Sequence, residues 1–174
     1  TIIKLIDHIK SNKTRLENVP GLWYRDKDKN IKSNKRASMF ENLDQDLPGQ
    51  AWKLLDMSKY KTHNWHTFGK LETRNQYASL QTSLGCPFKC TFCCINAPFE
   101  KNTIRFWSPK HIINQIKILV EDYNIFNIKI PDEMFVLNPK QVTGICDEII
   151  DKGYGAKLNF WAYARIDTLE DNEM

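Results

Sequence analysis

The 174-residue chain lacks the features that would place it in a membrane or mark it for export. No apolar run approaches the ~20 residues that a membrane-spanning helix requires, and no signal peptide opens the chain. A dominant charge is missing too: 25 basic residues face 21 acidic ones, and a net charge of +4 does not by itself indicate nucleic-acid binding. We therefore expect a cytoplasmic protein with reduced cysteines, and neither membrane nor nucleic acid among its partners.

Histidine is scarce and poorly spaced for metal binding. The four histidines are His8, His63, His66 and His111. Only His63 and His66 lie three positions apart. We expect surface or packing roles for all four. The sequence also has no internal repeat and no low-complexity tract. It begins without an initiator methionine and ends just after a predicted strand, so we expect a fragment of a longer protein.

The first 75 residues predict an irregular α+β segment. Residues 1–17 predict a short basic helix, because their apolar positions lie near helical spacing. The stretch "VPGLWYRDKDKNIKSN" predicts a β-hairpin around a polar turn. Residues 34–75 are polar and irregular, with a small amphipathic stretch, "LPGQAWKLLDM". We interpret residues 34–75 as a linker packed along a larger body.

From Tyr77 onward, strand and helix patterns alternate. Each predicted helix begins with a capping residue followed by proline, at Ser108–Pro109 and Asn138–Pro139, and the helices end near residues 123 and 153. The strands are predicted at 77–83, 126–130 and 157–165. Strand, helix, strand, helix, strand at this spacing predicts a parallel sheet with right-handed crossovers.

Alternation along these strands predicts a sheet with two unlike faces. In the third strand, small and apolar side chains alternate with Asn159, Trp161, Tyr163 and Arg165. One face suits covering helices, and the polar, aromatic face suits a sheet that curves around a ligand cavity. Trp161 and Tyr163 would line the substrate space or merely fill it. The alternative is an ordinary sheet with one face in solvent. In α/β folds the chemistry lies at the carboxyl ends of the strands.

Four of the five cysteines fall within nine residues, in the stretch "CPFKCTFCC". Cys86, Cys90 and Cys93 form a C-x3-C-x2-C pattern at the carboxyl end of the first predicted strand. Spacings this short let three thiolates meet around one small inorganic group at little cost in loop entropy. A cubane iron–sulfur cluster takes four ligands, usually thiolates, so three cysteines would leave one iron open to a substrate or cofactor.

The remaining cysteines leave two other functions open. Cys94 directly follows Cys93, so its side chain should point elsewhere, and we interpret it as a packed bystander. Cys146 lies mid-helix and is expected in the core. A zinc-binding interaction module would need Cys94 or a distant histidine as the fourth ligand. A thiol redox loop through Cys90 and Cys93 would leave Cys86 unexplained.

The stretch "CPFKCTFC" resembles the cysteine motif of the radical S-adenosylmethionine (SAM) superfamily, C-x3-C-x-aromatic-C, with Phe92 at the aromatic position. The resemblance extends to the class with a cobalamin (B12)-binding domain. The stretches that resemble the first half of its catalytic domain are "SLQTSLGCPFKCTFC", "RFWSPKHIINQI", "IKIPDEMFVLNPKQVTGICDEII" and "WAYARID". Upstream, "VPGLWYR" and "LPGQAWKLLDM" resemble the tail and linker that follow the cobalamin-binding domain.

This resemblance implies a fold and a domain boundary. The implied fold class is α/β, a partial (β/α)6 TIM-like barrel of about three βα units preceded by an irregular α+β linker segment. Residues 1–75 would be the tail of a missing cobalamin-binding domain plus the linker. Residues 76–174 would be the N-terminal half of the catalytic domain. The chain departs from the class in lacking the cobalamin domain proper and the second half of the barrel.

The resemblance also implies an activity and its cofactors. Cys86, Cys90 and Cys93 would ligate a [4Fe-4S] cluster whose open iron binds SAM, and reductive cleavage of SAM would give a 5′-deoxyadenosyl radical. Cobalamin would be bound mainly by the missing upstream domain. The implied partners are a small-molecule substrate and an electron donor such as flavodoxin or ferredoxin. A radical SAM enzyme without cobalamin is the alternative within the superfamily.

Four further residues are predicted to bind the cofactor. Phe92 would pack near the adenine, or else only within its own loop. Glu133, which we favour over Asp132, would accept hydrogen bonds from the SAM amino group, and the alternative for each acid is a turn carboxylate. Arg165 would bind a carboxylate through its planar fork, or would form a salt bridge to Asp132 or Asp167.

Overall fold

The computed structural model describes residues 1–11, 15–62, 72, 74–98 and 101–169. The chain divides into two compact units, Thr1–Phe40 and Glu41–Met174. The predicted helix and hairpin lie in the first unit. The predicted alternation of strands and helices lies in the second. No helix in the described ranges has the length and apolar character needed to cross a bilayer.

The first unit contains the helix and the hairpin that the sequence predicts. Helix α1 spans Ile2–Ser11, and the antiparallel strands are β1, Trp23–Arg25, and β2, Ile31–Ser33. The carboxylate of Asp26 closes the hairpin turn by accepting hydrogen bonds from backbone N–H groups two and four residues ahead. An aspartate at this place offers the turn its own acceptor, which explains the local sequence.

The second unit begins with a short segment packed against the main helix. Helix α2 spans Leu43–Asp46, and two 3-10 turns follow. Trp52 is buried, and its indole N–H donates to Oε1 of Gln115 at 3.0 Å. The Trp107 indole donates to the Leu47 carbonyl at 2.9 Å. Residues 41–62 therefore contribute to the core of the second unit.

A three-stranded parallel sheet follows, as predicted, in the strand order β3 (Ala78–Ser79), β6 (Asn127–Ile130) and β7 (Asn159–Ala162). Both crossing helices begin as expected, because Ser108 and Asn138 accept hydrogen bonds from the backbone N–H groups three residues ahead. The elements of this unit are β3 Ala78–Ser79, β4 Ser83–Gly85, β5 Ile104–Phe106, α3 Pro109–Tyr123, β6 Asn127–Ile130, α4 Pro139–Asp151 and β7 Asn159–Ala162. The structure is thus a mixed α/β fold.

The first predicted strand is wrong as a single strand. Residues 77–83 divide into β3, which joins the parallel sheet, and the start of β4, which leaves it. Strand β4 instead pairs antiparallel with β5, where Ser83 lies opposite Phe106 and Gly85 opposite Ile104. The sequence analysis missed β5. The strand is interrupted at Thr82, which donates hydrogen bonds to the buried Asp132, as described with the site below.

The two unlike faces of the sheet are confirmed for β3 and β6, but Phe160 and Ala162 of β7, which were expected on the covered face, are exposed because no α-helix within the described residues follows β7 to cover them. Ala78, Leu80, Ile128 and Ile130 are all buried on the face that α3 and α4 cover. The opposite face carries a polar and aromatic cluster. In that cluster the ammonium of Lys129 lies 4.9 Å from the ring centroid of Trp161, whose ring meets that of Tyr163 edge-on at 4.4 Å.

One core assignment is wrong. Cys146 was expected in the core of α4, but its side chain is exposed. The buried residues of that helix include Ile145 and Ile149, four positions apart on one face. Cys146 follows Ile145 by one residue, a rotation of about 100° around the helix, which directs it away from that face.

Substitution of Gly85 tests the backbone conformation at the point where β4 leads into the cysteine loop. Its φ is +95°, and a Cβ placed there would collide with the carbonyl oxygen of Thr103. We expect Gly85→Ala to lower the free energy of unfolding by about 1–3 kcal/mol from backbone strain, and by more from the collision. Gly153→Ala is the matched control, because Gly153 also has positive φ, +69°, but nothing lies within 4 Å. Denaturant unfolding that shows equal losses for both variants would contradict this geometry.

Candidate functional site

The cysteine loop, described at residues 86–98 and 101–103, lies between the end of β4 and the start of β5. Cys86 is buried at 8% exposure, Cys90 is half-buried and Cys93 is exposed. All three line one cavity of about 280 Å³, together with Phe88, Lys89, Ile95, Asn96 and Asn102. The structure therefore brings the three predicted metal ligands to a common space.

Two asparagine side chains hold the loop in this shape. The carbonyl oxygen of Phe88 accepts hydrogen bonds from the Nδ2 atoms of Asn96, at 3.1 Å, and Asn102, at 2.8 Å. The N–H of Cys93 donates to the carbonyl of Cys90 at 3.1 Å, which makes a tight turn between these two cysteines. The sequence analysis missed these asparagines, because their partner is a backbone carbonyl that no spacing pattern indicates.

The donor set around the cavity suits a cluster. All five cysteines are free, and the described residues include no group of three His, Cys, Asp or Glu side chains gathered closely enough for one metal ion. A single tetrahedral Zn²⁺ at about 2.3 Å from each sulfur would need the thiolates about 4 Å apart. A cubane cluster binds each thiolate on a different iron, which spaces the sulfurs more widely. Three thiols that line one cavity are the kind of donor set that such a cluster takes.

Phe92 and Cys94, which flank Cys93 in the sequence, do not line the cavity that Cys93 lines. Cys94 is exposed and does not line the cavity, in keeping with its interpretation as a bystander, although it is not packed. Phe92 is 92% exposed, so it does not pack within its own loop. Its ring is available to a ligand, and contact with the adenine of SAM stays a prediction.

Asp132 is a fully buried carboxylate at the end of β6. One oxygen accepts from the backbone N–H of Thr82 at 2.9 Å, and the other accepts from the hydroxyls of Thr82, at 2.5 Å, and Ser83, at 2.7 Å. Burial raises the pKa of Asp132 above its ordinary value, and the hydrogen bonds from Thr82 and Ser83 offset part of this rise. This carboxylate is therefore engaged in joining β6 to the start of β4.

Glu133 differs from its neighbour. It lies three residues beyond the end of β6 and is half-buried, and its carboxylate makes no hydrogen bond or ion pair within the described ranges of the chain. Of the two predicted acids, Glu133 is thus the one with a carboxylate open to a ligand. Whether it binds SAM stays a prediction.

Arg165 reaches from beyond the end of β7 to the cysteine loop. Its Nε and Nη2 atoms bind both carboxylate oxygens of Asp167, at 2.8 and 2.6 Å. Its guanidinium lies 4.2 Å from the ring centroid of Phe88, and Nη1 is 4.0 Å from Sγ of Cys90. Of the predicted salt bridges, the one to Asp167 forms. The position of Phe88 beneath Arg165 was not anticipated, because the two residues lie far apart in the sequence.

The known proteins similar to this chain are longer enzymes. No protein-family model matches it. An uncharacterized methyltransferase of Pyrococcus horikoshii is 28% identical over 171 residues, which cover 98% of this chain and 34% of that protein. Anaerobic magnesium-protoporphyrin IX monomethyl ester cyclase of Rubrivivax gelatinosus is 24% identical over 137 residues, which cover 79% of this chain and 22% of the cyclase.

A solved structure gives the same result at the level of fold. The cobalamin-dependent S-adenosylmethionine radical enzyme OxsB, with aqua-cobalamin and S-adenosylmethionine bound, matches with a TM-score of 0.70 at 23% identity. The match covers 100% of this chain and 23% of OxsB. The predicted resemblance to the cobalamin-dependent radical SAM class is confirmed. The chain spans about a third or less of the length of each protein it matches.

The buried Asp132 gives a pH-dependent prediction. Since its folded pKa is raised, its contribution to stability is greatest below its unfolded pKa, 3.8, and is lost as the pH rises through the folded pKa. We expect Asp132→Asn to lower the free energy of unfolding by about 1–3 kcal/mol at neutral pH, because donors lose a charged acceptor. The difference in the free energy of unfolding between wild type and Asp132→Asn should widen as the pH falls towards 4. Denaturant titrations across this range that give a constant or shrinking gap would contradict the assignment.

Proposed function

We propose that the chain forms the first half of the catalytic domain of a cobalamin-dependent radical SAM enzyme, in which Cys86, Cys90 and Cys93 hold a [4Fe-4S] cluster. The observation that supports this most is the convergence of the three motif thiols on one cavity, in a chain whose fold matches OxsB. When bound, such a cluster supplies the electron for the reductive cleavage of SAM.

In this proposal the cysteine loop supplies three thiolates and leaves the fourth cluster position to the ligand. Asn96 and Asn102 fix the backbone between the first two cysteines. The exposed ring of Phe92 would contact the adenine, and the half-buried carboxylate of Glu133 would accept hydrogen bonds from the SAM amino group.

Asp132 and Arg165 have a different part in the proposed site. Each was predicted as a possible cofactor contact, and each forms contacts within the chain instead. Asp132 anchors the start of β4, and Arg165 joins the end of β7 to the loop. We assign positioning roles to both, and direct contact with SAM at either residue stays a prediction.

The proposed fold is half of a (β/α)6 barrel. Strands β3, β6 and β7 run parallel, with α3 and α4 as the crossing helices between them. The face away from these helices carries Lys129, Trp161 and Tyr163, which we assign to the ligand side of the barrel. The cysteine loop follows β4, which continues the chain beyond the carboxyl end of β3, the end of the sheet where chemistry is found in this kind of fold.

Cobalamin and the reaction outcome belong to the same proposal. OxsB binds aqua-cobalamin and SAM, one relative is named as a methyltransferase and another as a cyclase. We propose that residues 1–75 are the tail of a cobalamin-binding domain plus a linker and that the enzyme catalyses methyl transfer or related radical chemistry on a small molecule. A flavodoxin or ferredoxin in the cytoplasm would supply electrons.

A zinc-binding interaction module has less support. It would need Cys94 or a histidine to close a four-ligand site with the three loop cysteines. Cys94 does not line the cavity that the other three share. A thiol redox loop would leave the buried Cys86 on the same cavity without a role.

Substitution of single cysteines tests the ligand set. We expect Cys86→Ser, Cys90→Ser and Cys93→Ser each to lower the iron and acid-labile sulfide content, because three thiolates are needed to retain the cluster. Conversion of SAM to 5′-deoxyadenosine under reducing conditions should be lost as well. Cys94→Ser is the matched control and should behave as wild type. Full cluster content in Cys90→Ser, measured by absorbance and iron analysis after anaerobic reconstitution, would remove Cys90 from the set.

Glu133 tests the proposed SAM contact. We expect Glu133→Gln to weaken SAM binding by about ten- to hundredfold, because a charge-assisted hydrogen bond is lost. Glu121→Gln is the control: it removes a carboxylate that accepts from the Tyr154 hydroxyl at 2.7 Å on the exposed side of α3. Calorimetric titration of each reconstituted variant with SAM measures its dissociation constant for comparison with that of the wild type. An unchanged dissociation constant in Glu133→Gln would exclude the contact.

A further inference from the structure

Arg165 makes three different contacts with one guanidinium group. It forms a two-point ion pair with Asp167, lies against the ring of Phe88, and directs Nη1 towards the sulfur of Cys90. The cysteine that it approaches is the middle ligand of the proposed set. Seventy-five residues separate Arg165 from Cys90, so the contact joins β7 and the cysteine loop across the fold.

Each contact limits the guanidinium in a separate way. The two-point pair with Asp167 fixes the plane of the group. The Phe88 ring supports the face of that plane through a cation–π contact. With Nε and Nη2 engaged, Nη1 is left to point at the sulfur. Arginine stays protonated at any pH that the protein meets, so this sulfur has a permanent cation beside it.

We propose that Arg165 is a positioning residue that donates a hydrogen bond to the Cys90 thiolate and raises the reduction potential of the cluster. The inference rests on the proposed function, in which Cys90 is a cluster ligand. Hydrogen bonds to the ligand sulfurs and nearby charge are among the factors that set the potential of an iron–sulfur cluster. Reduction adds an electron, and the more negative cluster gains more from an adjacent donor and cation than the oxidised one does.

The negative charge of Asp167 reduces this effect without cancelling it. Its carboxylate binds the edge of the guanidinium formed by Nε and Nη2, whereas the N–H bonds on Nη1 lie on the side of the sulfur. Lys89 also lines the cavity and adds a second positive charge there. Asp167 thus acts mainly to orient the guanidinium. Loss of Arg165 would remove both a donor and the charge next to Cys90.

The test is a redox titration of the anaerobically reconstituted protein without SAM, followed by electron paramagnetic resonance. We expect Arg165→Met to lower the equilibrium constant for cluster reduction about tenfold, which is a shift of about 59 mV to more negative potential for one electron. Arg74→Met is the matched control, because it removes the same charge from a cavity at the amino ends of β6 and β7. Its midpoint should equal that of wild type.

A wild-type midpoint in Arg165→Met, with full iron content, would overturn the inference and leave the proposed function intact. Phe88→Leu is a second variant, which keeps the arginine but removes the ring under it. It should shift the midpoint in the same direction by a smaller amount. If Arg165→Met takes up no iron, Phe88→Leu decides the matter, and a wild-type midpoint there would overturn the inference. A wild-type protein that assembles no cluster would instead contradict the proposed function.

Discussion

The buried carboxylate of Asp132 fixes the point at which the chain leaves the parallel sheet. Three donors from Thr82 and Ser83 converge on it, and none of these groups has access to water as an alternative partner. A buried carboxylate is tolerated only when it is hydrogen-bonded in this way. The anchor turns the chain from β3 into the β4–β5 hairpin. The hairpin in turn carries the loop with all three motif cysteines.

The loop is further defined by contacts that lie far apart in sequence. Asn96 and Asn102 fix the Phe88 carbonyl, and Arg165 covers the ring of the same residue. Phe88 is therefore held by its backbone and its side chain at once. These contacts keep the three cysteines around one cavity. They also link the loop to the end of β7, so that the sheet and the loop form one site.

Much of the fold and of the cysteine site could be predicted from the sequence, because the patterns that indicate them are local. The capping residues before Pro109 and Pro139, the parity of Ile128 and Ile130, and the spacing of the cysteines each depend on near neighbours. The missed features depend on distant ones. Strand β5 pairs with β4, which follows the point where Asp132 binds Thr82 and Ser83, and no local pattern indicates this pairing. The exposure of Cys146 depends on where α4 meets its neighbours, which its short-range pattern did not resolve.

The account depends on three thiolates that share one cluster and leave one of its irons without a protein ligand. Mössbauer spectroscopy of ⁵⁷Fe-reconstituted protein, with and without SAM, tests this most directly. The account predicts a [4Fe-4S] spectrum in which one iron changes its parameters when SAM is added and the other three do not. A spectrum in which none of the four irons changes its parameters when SAM is added would contradict this proposal, and so would a protein that binds zinc and no iron.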